Sequence, residues 1–313
     1  MTSTSQQWWS KDTVAVVTGA NKGTGYKIAR QLAQQGVTVA LTARDHGRGQ
    51  AAVDALKKEG LESVCFHQLD VLSSESVETL ATWLKDKFGG FDILVNNAGV
   101  ARGPNGIELE YEIAKAVLET NYYGVQKVTK GLMPLLQSSQ PEGARIINNT
   151  SGLALYERLG SEKLKQIFRD EENYSEELID SLATKYLEDV RAGRSQEEGW
   201  VEGKGPMYTE SKIFMNAHSM ALARSLTKSQ LEENNTFLVI FGPGVTLTDM
   251  LRNTTSGPDK EIKPLGGFRL KTPEEAADTP VWLALMPREE LTSKHWKIYV
   301  DRKEYPFSRK MKF

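Results

Sequence analysis

Short β-branched apolar runs alternate along the chain with stretches of helical periodicity, and few architectures accept that order. Thr13–Thr18, Val37–Thr42, Ser63–Leu69, Phe91–Val95, Ala144–Thr150 and Thr236–Phe241 read as strands, with Lys297–Val300 as a last short one. Between them lie helical patterns: Lys27–Gln35 with Ile28, Leu32 and Ala33 as its stripe, Gly49–Lys58, and a helix capped by Ser73 or Ser74 that carries Val77, Leu80, Leu84 and Phe88. Residues 108–136 hold two more helices, and Thr272-Pro273-Glu274-Glu275 joins a capping box to a proline at the first helical position. The strands are apolar throughout rather than alternating, as expected of strands covered on both faces. Repeated β-α-β units therefore predict an α/β chain: a Rossmann-type, doubly wound parallel sheet of about seven strands with helices on both faces. One domain spanning residues 1–313 absorbs the whole length.

The first strand runs into Thr18-Gly19-Ala20-Asn21-Lys22-Gly23-Thr24-Gly25, a Gly-x-x-x-Gly-x-Gly turn into a helix. Glycines there permit a tight turn and close backbone approach, and a pyrophosphate can sit on the helix N-terminus. The end of the second strand selects the dinucleotide, since an acid suits a ribose 2′-hydroxyl and an arginine a 2′-phosphate. Alanine stands at that place in Thr42-Ala43-Arg44, followed by Arg44 and, one helical turn on, Arg48. With Lys22 from the glycine turn, three cations are expected to converge on a 2′-phosphate, so NADP (as NADPH) is the predicted cofactor, with Asp45 a minor objection. Asp70 and Val71, after the third strand, are placed to flank the adenine.

Tyr208-Thr209-Glu210-Ser211-Lys212 opens a long helix, with Phe214, Ala217, Ala221 and Leu222 at helical intervals. Tyr208 and Lys212 share a face, and an ammonium beside a phenol lowers the pKa of the phenol. Bringing a tyrosine from ~10 to about 7 takes ~4 kcal/mol and would make it a proton donor or acceptor at neutral pH.

Asn96-Asn97-Ala98-Gly99 ends the fourth strand and Pro243-Gly244 follows the sixth. Together with the glycine turn and Tyr208-x-x-x-Lys212, in this order, the set resembles the short-chain dehydrogenase/reductase family over nearly the whole chain. Trp8-Trp9-Ser10-Lys11, Leu41 to Asp45, Phe66 to Asp70 and Thr120-Asn121-Tyr122-Tyr123-Gly124 resemble its carbonyl-reductase branch, and within it plant neomenthol dehydrogenase and salutaridine reductase-like enzymes. The resemblance implies a tetrad. Asn121 matches the asparagine that holds a proton-relay water, and Ser151 the serine that hydrogen-bonds the substrate carbonyl, with neighbouring Thr150 the weaker candidate. Tyr208 matches the proton donor, and Lys212 the lysine that lowers its pKa and binds the nicotinamide ribose. It also implies hydride transfer from C4 of the nicotinamide to a carbonyl carbon. Gly19, Asn21, Lys22, Gly23, Thr24, Gly25, Arg44, Arg48, Asp70, Val71, Asn97, Ala98, Gly99, Tyr208, Lys212, Pro243, Gly244, Val245 and Thr248 would form the cofactor site, Thr248 near the carboxamide. Two positions depart from the family. Thr24 replaces its usual isoleucine where only a backbone amide meets phosphate. Val245 replaces an aromatic residue at the edge of the substrate pocket, so substrates do not carry over from relatives.

More than fifty residues separate Ser151 from Tyr208. This insertion, about 155–205, is expected to hold a short helix (Ser161–Asp170) and an amphipathic one (Ser175–Ala192) with Leu178, Leu182, Tyr186 and Val190 as its stripe. In the resembling branch such an insertion covers the dimerisation surface, so a monomer is expected. It would also roof the pocket, with Trp200 either at the pocket or packed inside the insert. Residues about 245–270, with Gly257-Pro258 and Gly266-Gly267, suit a closing substrate loop.

The remaining composition narrows the alternatives. A net charge of -2 with no basic run gives no reason to expect nucleic acid or an anionic membrane. No apolar run spans a bilayer, and Met1–Asp12 lacks the core of a signal peptide. One cysteine, Cys65, fits a reducing, cytoplasmic setting, and the four histidines lack metal-site spacing, so no metal is expected. The sum is an NADPH-dependent reductase of a ketone or aldehyde on a small hydrophobic metabolite (terpenoid, alkaloid or aromatic). The same residues run alcohol oxidation in reverse. Enone C=C reduction and a non-catalytic dinucleotide sensor are the alternatives, and an intact Tyr208 and Lys212 weigh against both.

Overall fold

The computed structural model describes residues 7–102, 110–137, 141–202, 206–230, 235–255, 269–305 and 307. Its centre is one sheet in the order β3-β2-β1-β4-β5-β6-β7-β8. The strands are β1 (Val14–Val17), β2 (Thr38–Ala43), β3 (Val64–Gln68), β4 (Ile93–Asn96), β5 (Ala144–Asn149), β6 (Thr236–Phe241), β7 (Ile298–Val300) and β8 (Lys303–Glu304). Seven strands are parallel, and the two-residue β8 returns antiparallel on β7. The predicted architecture thus holds, with a short eighth strand that two exposed residues gave no pattern to reveal.

Alternate residues of each strand feed two cores. Val14 and Val16 point to one and Ala15 and Val17 to the other, and all four are buried. One core lies under α1 (Gly23–Gln34), α2 (His46–Lys58) and α10 (Pro273–Leu285), through Ile28, Leu32, Val53, Leu56 and Leu283. The other lies under α3 (Ser74–Phe88), α4 (Glu110–Leu118), α5 (Gly124–Leu132) and α8 (Pro206–Gln230), through Leu80, Leu84, Val128 and Phe214. Helix α1 begins at Gly23, earlier than the apolar stripe predicted, because the glycine turn itself supplies the first helical turn. A π-helical turn, Glu119–Tyr123, joins α4 to α5. The chain is completed by α9 (Asp249–Thr255) and α11 (Arg288–Thr292).

The insertion forms α6 (Glu162–Arg169) and α7 (Glu176–Arg191), each started by a serine cap. Helix α7 buries Ile179, Leu182, Ala183, Tyr186 and Val190, and Leu178 is only partly covered. Trp200, Tyr186 and Phe168 surround Phe214 of α8, with ring centroids 5.9–6.2 Å from it. Trp200 is 1% exposed and donates its indole N–H to Asp189 at 2.8 Å. It is therefore packing of the insert and not a pocket wall. Three such aromatics, at about 1.5–3 kcal/mol each on burial, make the insertion part of the core rather than a flap. Asp180 also accepts from Tyr122 (2.6 Å) and Gln126 (2.9 Å), and Glu176 pairs with Lys130 (2.6 Å) and His218 (3.2 Å), which fixes α7 on the face of the π turn, α5 and α8. Residues 256–268, half of the predicted 245–270 loop, lie outside the described residues.

Candidate active site

Strand order reverses between β1 and β4, and ligands of doubly wound sheets bind at the carboxyl ends of the strands beside that switch point. The glycine turn lies there. Gly19 and Gly23 have φ of 62° and 60°, a left-handed conformation that glycine adopts without strain. A Cβ on Gly19 would sit 2.8 Å from Ala98 Cα, and one on Gly25 2.3 Å from Asn97 Nδ2. Asn97 and Ala98 fasten the turn to β4. Both of their amides donate to Thr18 Oγ1 (3.0 and 2.9 Å), and Asn97 Nδ2 donates to the carbonyls of Thr18 and Gly19. Lys22 occupies the N-cap of α1 without a side-chain cap, and the first turn carries no acid. The orphan N–H groups of Gly23, Thr24 and Gly25 are thus left for an external anion, the fit a dinucleotide pyrophosphate requires. Half-buried Asn21 completes the turn.

At the end of β2, Ala43 is buried and Arg44 exposed. Asp45, the objection raised by the sequence, is spent on its own helix: it caps α2 through the Arg48 amide (2.8 Å) and pairs with the Arg48 guanidinium (3.5 Å). Lys22 reaches to Asp249, the first residue of α9, at 2.7 Å. Of the three expected cations, Lys22 and Arg48 thus carry carboxylate partners in the ligand-free chain. Asp70 accepts from the Leu72 amide, and Val71 packs against Gly124. Thr248 lies over the glycine turn, its methyl 3.5 Å from where a Gly23 Cβ would be. Gly244, at φ 76°, is covered by the buried Lys271 side chain, which pairs with Asp301. Lys271 donates its own N–H to the Val245 carbonyl (2.8 Å), and Pro243 accepts from Thr246 (3.2 Å).

Tyr208, half-buried, stands in the first turn of α8, and Ser151, just after β5, hydrogen-bonds its phenol. Thr150 is buried, and its hydroxyl has no partner among the described residues, whereas Ser151 meets the phenol. Lys212, 3% exposed, donates to the Asn149 carbonyl at 2.7 Å, and its Nζ is 6.0 Å from the Tyr208 ring centroid. The π turn presents Asn121. It accepts from Val100 N and donates to Val100 O, both at 2.8 Å, and donates to Ser211 Oγ at 2.9 Å. Both of its amide hydrogens are therefore committed to holding β4, the π turn and α8 together. A Cβ on Gly99 would lie 3.1 Å from Asn121 Oδ1 and 3.8 Å from Lys212 Nζ, so Gly99 leaves room where these groups meet.

The electrostatics differ from the sequence expectation. Burial raises the Tyr208 pKa, opposed by the Ser151 hydrogen bond, and Lys212 does not lower it. Burial pushes the Lys212 ammonium down to about 7, because a charge without a carboxylate partner is costly in that setting. Two ionisable residues near Tyr208 carry no sequence pattern that assigns them a role. Glu210 is fully buried with a carboxyl pushed up to about 8 by burial, and Arg158 donates to Thr209 Oγ1 at 2.7 Å. No cluster of metal ligands occurs among the described residues. A groove of about 560 Å3 lined by Trp9, Gln31, Trp282 and Arg302, among others, contains none of these site residues.

Residues 13–162 match the short chain dehydrogenase family. The chain is 35% identical to (+)-neomenthol dehydrogenase of Arabidopsis thaliana (89% of this chain, 93% of that one) and 38% identical to carbonyl reductase [NADPH] 1 of Mus musculus (94% and 98%). The solved structure of salutaridine reductase from Papaver somniferum superposes with a TM-score of 0.75 at 33% identity, covering 88% of this chain and 97% of that one.

Proposed function

We propose that this chain, which belongs to the short-chain dehydrogenase/reductase family, reduces a ketone or aldehyde of a small hydrophobic metabolite with NADPH. The observation that carries the reading is the convergence of Ser151, Tyr208, Lys212 and Asn121 at the switch point beside an uncapped, acid-free helix N-terminus. The bound nicotinamide would supply the hydride to the carbonyl carbon. Ser151 and Tyr208 would hold the carbonyl oxygen between two hydroxyls. The raised pKa keeps the Tyr208 phenol protonated at neutral pH, the form a proton donor needs. Once it has given its proton, the Lys212 ammonium, 6.0 Å from the ring centroid, would stabilise the phenolate, and an anionic ligand nearby would favour the charged ammonium. Because the Asn121 amide hydrogens are spent on structure, any relay water at Asn121 would be held through its main chain. Gly19, Asn21, Gly23, Thr24 and Gly25 would receive the pyrophosphate. Arg44, Arg48 and Lys22 would receive the 2′-phosphate, with Lys22 exchanging Asp249 for phosphate. Asp70, Val71, Asn97, Ala98, Gly99, Pro243, Gly244, Val245 and Thr248 would line the rest of the dinucleotide path.

Terpenoid, alkaloid or aromatic carbonyls would be the substrate class; the names of neomenthol dehydrogenase and salutaridine reductase support the first two, and Val245 leaves the individual substrate open. A single domain, a monomeric state and a cytoplasmic setting belong to the same reading. Support comes from one continuous sheet, from α7 covering the face of the π turn, α5 and α8, and from the lone Cys65. Light scattering on the eluting protein is expected to give the mass of one chain, and a dimer mass would remove the monomer. Incubation with NADPH and a panel of cyclic enones, monoterpene ketones and aryl aldehydes is expected to consume NADPH with at least one carbonyl class. No consumption across the panel would overturn the proposal.

A further inference from the structure

Two residues after Tyr208, about 200° round the helix, Glu210 faces the insertion and not the cleft. It is fully buried. One carboxyl oxygen accepts the Val201 amide, and the other has no partner among the described residues. Leu159 and Val201 pair as an antiparallel bridge, so the two ends of the insertion meet beside Glu210. Arg158, at the near end, donates to Thr209 Oγ1 at 2.7 Å, and its positive charge partly offsets the burial that raises the Glu210 carboxyl. Buried acids with an unpartnered oxygen are costly and call for an explanation. On the other side of the same turn, Ser211 donates to the Tyr208 carbonyl at 2.7 Å and accepts from Asn121.

We propose that Glu210 is a positioning residue: with Arg158 it clamps the neck of the insertion to the first turn of α8, opposite the Asn121–Ser211 contact, and thereby sets the placement of the Tyr208 phenol. The inference rests on the reading of Tyr208 as proton donor. The groups that face the carboxyl are Arg158 from the turn Tyr156–Arg158 and Tyr186 from α7, whose phenol stays neutral by burial, with Glu110 of α4 acting in turn on Tyr186. Burial keeps most of the Glu210 carboxyl protonated at neutral pH, so glutamine is a close mimic that retains an acceptor for Val201 N.

The test compares the wild type, Glu210→Gln, Glu210→Ala and Arg158→Met in three measurements: NADPH affinity, steady-state kinetics with a carbonyl the wild type accepts, and tryptic cleavage within residues 162–194 of the insertion, whose lysines and arginines all four proteins share. Glu210→Gln is expected to stay within roughly twofold of wild type in all three, since the acceptor is kept. Glu210→Ala is expected to lose kcat by about tenfold or more with NADPH affinity within about twofold, and its insertion to be cut about tenfold faster. Arg158→Met is expected to move in the same direction and keeps the test open if the alanine variant does not fold. A folded alanine variant with wild-type kcat, or a lower kcat with an unaltered cleavage rate, would overturn the clamp. If the wild type reduces no carbonyl, the functional reading fails instead. The cleavage rates then decide the clamp alone, and no acceleration in either the alanine or the methionine variant overturns it.

Discussion

Replacing Lys212 with methionine should make the ligand-free protein more stable at neutral pH while abolishing turnover. Lys212 is 3% exposed, and burial pushes its ammonium down to about 7 from the ordinary 10.5. At ~1.4 kcal/mol per pH unit this corresponds to about 5 kcal/mol of destabilisation when the buried group is charged. The sign follows from proton binding. Between pH 7 and 10.5 the unfolded chain holds this proton and the folded chain does not, so the folded state gains stability as pH rises through that window. The lysine does its structure no harm above 10.5 and costs the full amount below 7. Methionine removes the cost but leaves the Asn149 carbonyl without its donor, a loss of ~1–3 kcal/mol. The net gain is therefore ~2–4 kcal/mol at about pH 7 and close to zero at about pH 9.5. Urea unfolding of the ligand-free protein at the two pH values measures it. A methionine variant that is less stable at neutral pH, or equally displaced at both, would refute the claim that Lys212 is held at a cost in stability.

Other substitutions probe the cofactor side. Gly25→Ala should weaken NADPH binding by at least about tenfold, because its Cβ would fall 2.3 Å from Asn97 Nδ2 and force the turn to open, and fluorescence titration reads this directly. Arg44→Asp should shift preference toward NADH, seen as a ratio of kcat/KM values for the two cofactors that falls by roughly tenfold or more. An unchanged ratio would mean that the end of β2 does not read the 2′-phosphate. Asp249→Asn, which frees Lys22 from an exposed ion pair worth ~0.2–1 kcal/mol, should tighten NADPH binding by no more than about fivefold, and less at high salt.

Features written in local pattern could be read from the sequence. Strands buried on both faces appear as apolar runs, and the glycine turn and Tyr208-x-x-x-Lys212 carry their geometry within a few residues. Features that depend on distant partners could not. Lys22 finds Asp249 across 227 positions, and nothing near either residue marks the pairing. Trp200 is close to Tyr208 in sequence, but Asp189 and Tyr186 draw its ring into the insertion. The expected lowering of the Tyr208 pKa assumed a fully charged neighbour. Burial acts on both groups, raising the phenol and discharging the ammonium, and spacing along a helix contains no information about burial. Glu210 stood in plain view in the motif, yet its cost becomes visible only when the insertion closes over it.

In the proposed reaction Tyr208 gives the proton to the carbonyl oxygen. The direct measurement is Tyr208→Phe, which keeps the ring and removes the hydroxyl, assayed for NADPH affinity and for turnover of a carbonyl accepted by the wild type. The expected result is NADPH affinity within about twofold of wild type and a kcat lower by about a hundredfold or more. Turnover that survives the substitution, or affinity and turnover lost together, would contradict it.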